Sequence, residues 1–335
     1  MGNFLSRPYT KPQIIYGNSD YSPHPFMKVT STKSSVALCF IVNRFQNLRP
    51  LQTELIGTLS SLQLISDEDI NNMRKIGYQQ ACPFECNSIF SVVSLTLNIP
   101  KGMKKDQLIK RINHEMAPSK ILGSIIFFEK IMFSSKKYVD LLSFHYLLPL
   151  SLLKENINSP SEISDFEFSD ISSLFEGTFL FQNFNQIPNS PTSIKNTNIK
   201  TIQTFDVIKT IFLQNKLYCC LLIEGKSFFK GQIEKIVNLF VHVVKNKINK
   251  EEVKKYLDYE MYKINPAPEM PLILTFVKFD NFKKSLNTNQ NEDDLAFNDC
   301  RNVKVENLNK LQLEISKFYE NGALDSWIQN DFSEK

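Results

Sequence analysis

The chain has 335 residues, 42% of them hydrophobic and 22% charged, a composition that fits one large folded domain or two of ordinary size. With only 10 glycines and 15 prolines it is not a largely disordered linker, and no apolar run reaches the roughly 18 residues a membrane-spanning helix needs. A net charge of +4 permits a nucleic-acid partner without demanding one.

Residues 1–34 are polar and carry Pro8, Pro12, Pro23 and Pro25, which predicts a flexible arm. Its first residues, Met1-Gly2-Asn3-Phe4-Leu5-Ser6, fit the N-myristoylation pattern, and Arg7 and Lys11 would add attraction to an anionic membrane. No cysteine precedes Cys39, so a lipid on Gly2 would act alone and give only weak, reversible membrane association. The competing reading is a chance match in a basic tail.

An N-terminal lobe is expected over residues 35–150. Val36–Val42 is a short, apolar, β-branched run and predicts a buried strand. Leu55, Ile56, Leu59 and Leu62 have helical spacing, and 89–97 reads as a second strand. Leu108, Ile109, Ile112 and Met116 share one helical face. Strands follow at 121–128 and 143–149, the latter ended by Pro149. A Ser-, Asn- and Pro-rich stretch from Leu153 to Ile163 marks a boundary, and a second lobe is expected over 151–285. There a helix ends near 171–176, and 186–198 is a polar loop. Strands are predicted at 202–212, 217–224 and 272–279. Ile233, Ile236, Val237, Phe240, Val243 and Val244 outline the clearest helix, over 232–244. Residues 286–335 read as a polar linker and a helical tail, with Leu308, Leu311, Ile315 and Phe318 on one face. Trp327 is expected to dock that tail. The predicted class is α+β.

The six cysteines are Cys39, Cys82, Cys86, Cys219, Cys220 and Cys300. No signal-peptide pattern opens the chain, so reduced thiols are expected. Cys82 and Cys86 have a loose metal-like spacing, but no second Cys or His pair completes a zinc site, and His24, His114, His145 and His242 are far apart. No metal is expected.

Several stretches follow one another in the order of a known family. Gly77-Tyr-Gln-Gln-Ala-Cys-Pro-Phe-Glu-Cys-Asn-Ser-Ile-Phe-Ser-Val-Val-Ser-Leu95 stands where that family has Arg-Thr-Asp-Lys-Gly-Val…Val-Val-Ser-Leu. Ile112–Gly123 and Phe133–Pro149 match its next helix end and strand. Glu176-Gly-Thr-Phe-Leu-Phe-Gln-Asn-Phe184 resembles Glu-Gly-Thr-His-x-Phe-His-Asn-Phe. Gly225-Lys-Ser-Phe-Phe-Lys-Gly-Gln-Ile-Glu-Lys-Ile236 resembles Gly-Gln-Ser-Phe-Met-x-His-Gln-Ile-Arg-Lys-Met, and Pro266–Leu274 resembles Pro-Ala-Pro-x-x-Gly-Leu-x-Leu. The chain thus resembles the eukaryotic TruA-like tRNA pseudouridine synthases from about residue 35 to 285. The resemblance implies a two-lobed α+β fold of mixed and antiparallel sheets with flanking helices, an RNA partner, most of all tRNA, and no metal or organic cofactor.

The departures from the family pattern are chemical. A catalytic Asp is required to break and remake the bond between uracil and ribose, and Pro83 stands in its place. The neighbouring Arg becomes Ala81, and a second Arg, which pairs with the Asp, becomes Leu142. The Tyr that stacks on the target base becomes Phe144. The His and Arg of the 225–236 stretch become Gly231 and Glu234. Losing the Asp and its Arg together avoids burying one unpaired charge. Phe144 retains the stacking face of the base-binding ring. Glu85, two positions on, keeps the strand parity of Pro83 and is the one candidate for a displaced catalytic carboxylate; its competing reading is a solvated loop residue. Asp140 matches a family Asp with a structural role.

Two lysine-rich stretches are candidate RNA contacts: Lys101, Lys104, Lys105, Lys110, Arg111 and Lys120, and then Lys226, Lys230, Lys235, Lys245, Lys247 and Lys250. Lining a cleft, they would bind phosphates; otherwise they are solvated helix faces. The sequence therefore reads as an RNA-binding relative of the family with its catalysis impaired or lost. The alternatives are an active isomerase using Glu85, or a membrane-associated interaction protein lipidated at Gly2. A protein partner could occupy the former cleft. The expected location is cytoplasm or nucleus, with reversible membrane association under the Gly2 alternative.

Overall fold

Alternation along the first strand decides the architecture. In Ser31–Val42 (β1), Val36, Leu38 and Phe40 enter one apolar cluster while Ala37 and Cys39 enter another, because successive strand residues face opposite sides. The sheet is therefore covered on both faces in this region. The computed structural model describes residues 31–46, 49–70, 73–128, 132–154, 168–185, 199–258, 262–285 and 301–331. Gly2, most of the N-terminal arm, the 186–198 loop and residues 286–300 lie outside the described residues.

The other strands are β2 (Gln79–Gln80), β3 (Asn87–Pro100), β4 (Lys120–Phe128), β5 (Leu141–Pro149), β6 (Gly177–Leu180), β7 (Ile199–Leu213), β8 (Lys216–Gly225) and β9 (Leu272–Lys278). They form one nine-stranded sheet in the order β4-β1-β3-β9-β5-β8-β7-β6, with β2 paired to β3 off this path. Every pairing is antiparallel except β3 with β9. The sheet runs unbroken across residue 150, so the two lobes expected from sequence share it.

The parallel junction is short. Only Asn87↔Ile273 and Ser88↔Leu274 are in register. Side chains supplement it: Asn87 donates to the Met270 carbonyl at 2.7 Å and Ser88 to the Leu274 carbonyl at 3.3 Å. Asn87 also accepts the Arg44 backbone N–H at 2.8 Å.

The longer helices are α1 (Leu51–Ser61), α2 (Lys105–Glu115), α3 (Gln232–Val244), α4 (Arg301–Phe318) and α5 (Leu324–Asp331). The apolar faces of α1 and α2, with Leu55, Leu59, Leu108 and Ile112, cover the β1 and β3 side that carries Leu38, Val93 and Leu95. Helix α3 covers β5, β8 and β7; its Phe240 meets Phe205 edge-on at 5.4 Å. The helix spans follow the 3.6-residue periodicity closely. The short strands β2 and β6 are absent from the sequence reading.

The C-terminal helices wrap back over the body. Tyr319 donates to the Leu147 carbonyl at 3.1 Å, and the buried Trp327 indole N–H donates to Asn238 Oδ1 of α3 at 3.0 Å. Between α4 and α5 the chain kinks at Asn321 and Gly322, the latter with φ +93°, a backbone angle that glycine adopts without steric cost. Among the described residues no helix is long and apolar enough to cross a membrane.

Candidate functional site

Residues 79–86 fold back along β3. Gln79 and Gln80 pair with Ser94 and Val93, and the Ala81 N–H donates to the Val92 carbonyl at 3.0 Å. The chain then leaves the ladder. Ala81, Cys82, Phe84 and Cys86 turn inward while Pro83 is exposed. Pro83 thus occupies the predicted catalytic position without a functional group and without facing the interior.

The inward neighbour Phe84 takes the space instead. Its ring stacks on Phe144 of β5, with centroids 5.8 Å apart and planes 16° apart. Phe228 closes the other side of Phe144 edge-on, at 5.3 Å and 87°. Phe144 is 0% exposed. The ring expected to stack on a base is already stacked on the protein. Leu142, on the same side of β5, is also fully buried. The fold-back of Phe228 depends on Gly225, where a Cβ would stand 2.6 Å from the Thr201 carbonyl oxygen and 3.0 Å from the Phe228 ring. The remaining hollow beside Cys82, Phe84 and Cys86 measures about 10 Å³, room for one water.

Glu85 points away from this cluster. Its Oε1 accepts the backbone N–H of Leu51 at 2.5 Å, at the start of α1. The residue before that helix is Pro50, which supplies no capping side chain, so the Glu85 carboxylate meets an otherwise open helix donor and the positive end of the helix dipole. Arg44 donates to the Glu85 carbonyl at 3.1 Å and pairs with Glu269 at 3.2 Å.

The carboxyl buried in this region is Glu234, in the first turn of α3. It is 6% exposed, and its Oε2 has no hydrogen-bond partner. Burial pushes it up to about 7, with the Glu269 charge adding to the rise and Arg44 and Lys230 opposing it. The Cys82 and Cys86 thiols hydrogen-bond to each other; that bond, burial and the nearby Glu234 charge raise Cys86 well above the usual thiol range. Among the described residues no three His, Cys, Asp or Glu side chains are grouped to hold a metal ion. Asp140 accepts both the backbone and side-chain N–H of Asn281, capping the short helix Asp280–Ser285.

The lysines separate into distinct groups. Lys104, Lys105 and Arg111 are exposed on α2, with Lys105 Nζ 5.8 Å from the Phe127 ring centroid. Lys120, expected beside them, is instead buried and pairs with Glu54 at 2.7 Å. Its backbone belongs to β4 and the core-facing parity carries the side chain inward. Lys226 and Lys230 are exposed on the segment leading into α3. Lys235 is turned into the fold, where Nζ donates at 2.9 Å to the Asn183 and Asn185 carbonyls. Lys245, Lys247 and Lys250 lie at the far end of α3, about 20 Å along its axis. Sequence reasoning missed Lys200 of β7, which the fold brings beside Lys226 and Lys230. Its Nζ donates to Ser227 at 3.2 Å and lies 4.6 Å from the Phe229 ring centroid. Only the sheet pairing could reveal it, since 26 positions separate it from Lys226 in the chain.

Residues 171–280 match the model of a family described as tRNA pseudouridine synthase. This part of the chain, about a third of it, is similar to that family. The match covers β6 to β9 and α3, so it includes the Glu176–Phe184, Gly225–Ile236 and Pro266–Leu274 stretches. No curated protein matches the chain. The observed α+β architecture, a mixed and mostly antiparallel sheet with flanking helices, is that of a pseudouridine synthase fold, and the family's substrates are RNAs such as tRNA.

Proposed function

We propose that this pseudouridine synthase relative binds structured RNA and no longer isomerises uridine. The observation that carries the reading is the enclosure of Phe144 between Phe84 and Phe228. A flipped uracil needs a ring-sized pocket and a carboxylate aimed at the ribose or base. The packing of Phe84, Phe144 and Phe228 on one another supports the reading that no such pocket is left around Phe144, as does the outward-facing Pro83. Glu85 supports this reading too, since its carboxylate is engaged by the Leu51 N–H at the start of α1. The exposed cations Lys104, Lys105, Arg111, Lys226 and Lys230 favour an RNA role, because phosphate contacts need no pocket. Half-buried Lys235 serves the fold through its two carbonyl contacts.

The test uses the purified full chain with unmodified tRNA transcripts and with total RNA. Pseudouridine is counted by mass spectrometry, and binding is followed by fluorescence anisotropy across a salt series. The expected outcome is salt-sensitive binding without product, weakened by the double variant Lys226→Glu/Lys230→Glu. Pseudouridine formed by the pure protein would overturn the loss of catalysis, and its disappearance in Glu85→Gln would then identify the displaced carboxylate. An absence of RNA binding at low salt would overturn the other half.

A further inference from the structure

The C-terminal helices enclose a hollow of their own. It lies between the end of α4, α5 and residues 265–268, and has a volume of about 490 Å³, in the range of small-molecule pockets. Phe318, Pro268 and Trp327 give it apolar walls. Its rim is open: Pro266, Ser326 and Asn330 are exposed.

Asp331 is the one charged residue among those that line it. Its side chain is 8% exposed. Oδ1 accepts from Asn265 at 2.7 Å, while Oδ2 accepts from Asn238 and lies 3.3 Å from His242 Nε2. Burial works to raise the carboxyl, but the hydrogen bonds from His242, Asn265 and Asn238 outweigh it and hold the group below the usual carboxylate range. At neutral pH it is therefore an anion. Among the described residues no lysine or arginine pairs with it. A sunken carboxylate without a full cationic partner is poorly compensated, and Oδ1, with one donor, has a lone pair left to offer. Aromatic rings beside a carboxylate favour a cation over an anion.

We infer that this hollow binds a small organic cation, its apolar body against Phe318, Pro268 and Trp327 and its amidinium, guanidinium or ammonium head at the Asp331 carboxylate. The same carboxylate repels phosphate, so the site is separate from the exposed lysine groups and stands whether or not the protein binds RNA.

The experiment is isothermal calorimetry of the full chain with benzamidinium and benzyltrimethylammonium at constant ionic strength, with neutral benzamide as the control for apolar burial alone. Trp327 is the only tryptophan in the chain, so its fluorescence, read on the same samples, locates the ligand. Saturable one-site binding of at least one cation, tighter than that of benzamide and accompanied by a change in Trp327 emission, is expected. The tighter cation shows whether the head needs N–H donors. Asp331→Asn should weaken the cation about tenfold, as loss of one charge-assisted contact does. Because that change also touches three protein hydrogen bonds, a second variant leaves them intact: Asn330→Lys, on the exposed rim, tethers a competing ammonium beside the hollow and should weaken the cations while leaving benzamide and the urea midpoint unchanged. Cations that bind no tighter than benzamide, or that bind without altering Trp327 emission, would overturn the inference, as would an affinity indifferent to Asn330→Lys.

Discussion

Glu234 shows how burying one carboxyl changes the electrostatics of its surroundings. Its carboxyl is buried with one oxygen unmatched, and burial holds its proton up to about pH 7. In the unfolded chain the same group ionises near its model value of 4.5. As pH rises from there the unfolded state releases a proton that the folded state keeps, so folding stability falls until about pH 7 and then levels. Glu234→Gln removes this penalty. Urea unfolding at pH 5 should barely distinguish the variant from the parent chain, while at pH 8 the variant should be more stable, by up to a few kcal/mol. Equal gains at both pH values would show that packing, and not ionisation, is responsible. The sequence exposes the substitution at this position and the absence of a carboxylate at Pro83. It does not expose Phe84, because a loop without period carries no rule for which side chain turns inward. Nor does it separate Lys226, in solvent, from Lys235, whose helical position sends it to two backbone carbonyls.

At the scale of elements, legibility follows periodicity. Helix α3 is visible at its full length because its apolar residues repeat along one face, and β1 because its apolar run is short and β-branched. The strand β2 has only two residues and β6 four, too few for alternation to register. The start of α1 is a subtler case: Pro50 begins the helix sterically but offers no acceptor, and the acceptor arrives from Glu85, 34 residues away. Glu85→Gln should therefore lower the urea midpoint by an amount equivalent to about 1 kcal/mol and leave RNA affinity unchanged. An unaltered midpoint together with weaker RNA binding would assign the carboxylate to the RNA face instead.

Across the whole molecule, the tail is part of the fold. Trp327 buries its ring against α3 and hydrogen-bonds Asn238, and Asn265 donates to Asp331 at 2.7 Å. Trp327→Ala should cost about 3–5 kcal/mol in equilibrium unfolding, and limited proteolysis should then cut first within 301–331. A small loss of stability with cleavage elsewhere would mean the tail is an accessory. The docking of this residue is legible from sequence because it is the chain's one tryptophan, set in a largely polar tail. The strand order is not, because Ser88 and the Leu274 carbonyl it contacts are 186 residues apart, and no local pattern encodes a pairing at that distance.

The position of β9 sets the order in which this protein can be assembled at the ribosome. Among the described strands β9 is the last in the chain, yet it lies in the middle of the sheet, between β3 and β5. β1, β3 and β4 can pair as soon as they emerge, and β5, β7 and β8 can do so later. Until β9 arrives, each group presents an open edge to the other and to every neighbouring nascent chain. Such half-sheets are the species that aggregate or recruit chaperones, and the delay lasts for the synthesis of everything from β5 to β9. A chain interrupted before residue 272 would thus lack more than an end. It would be two unjoined sheets with sticky facing edges, which makes complete translation a condition of solubility.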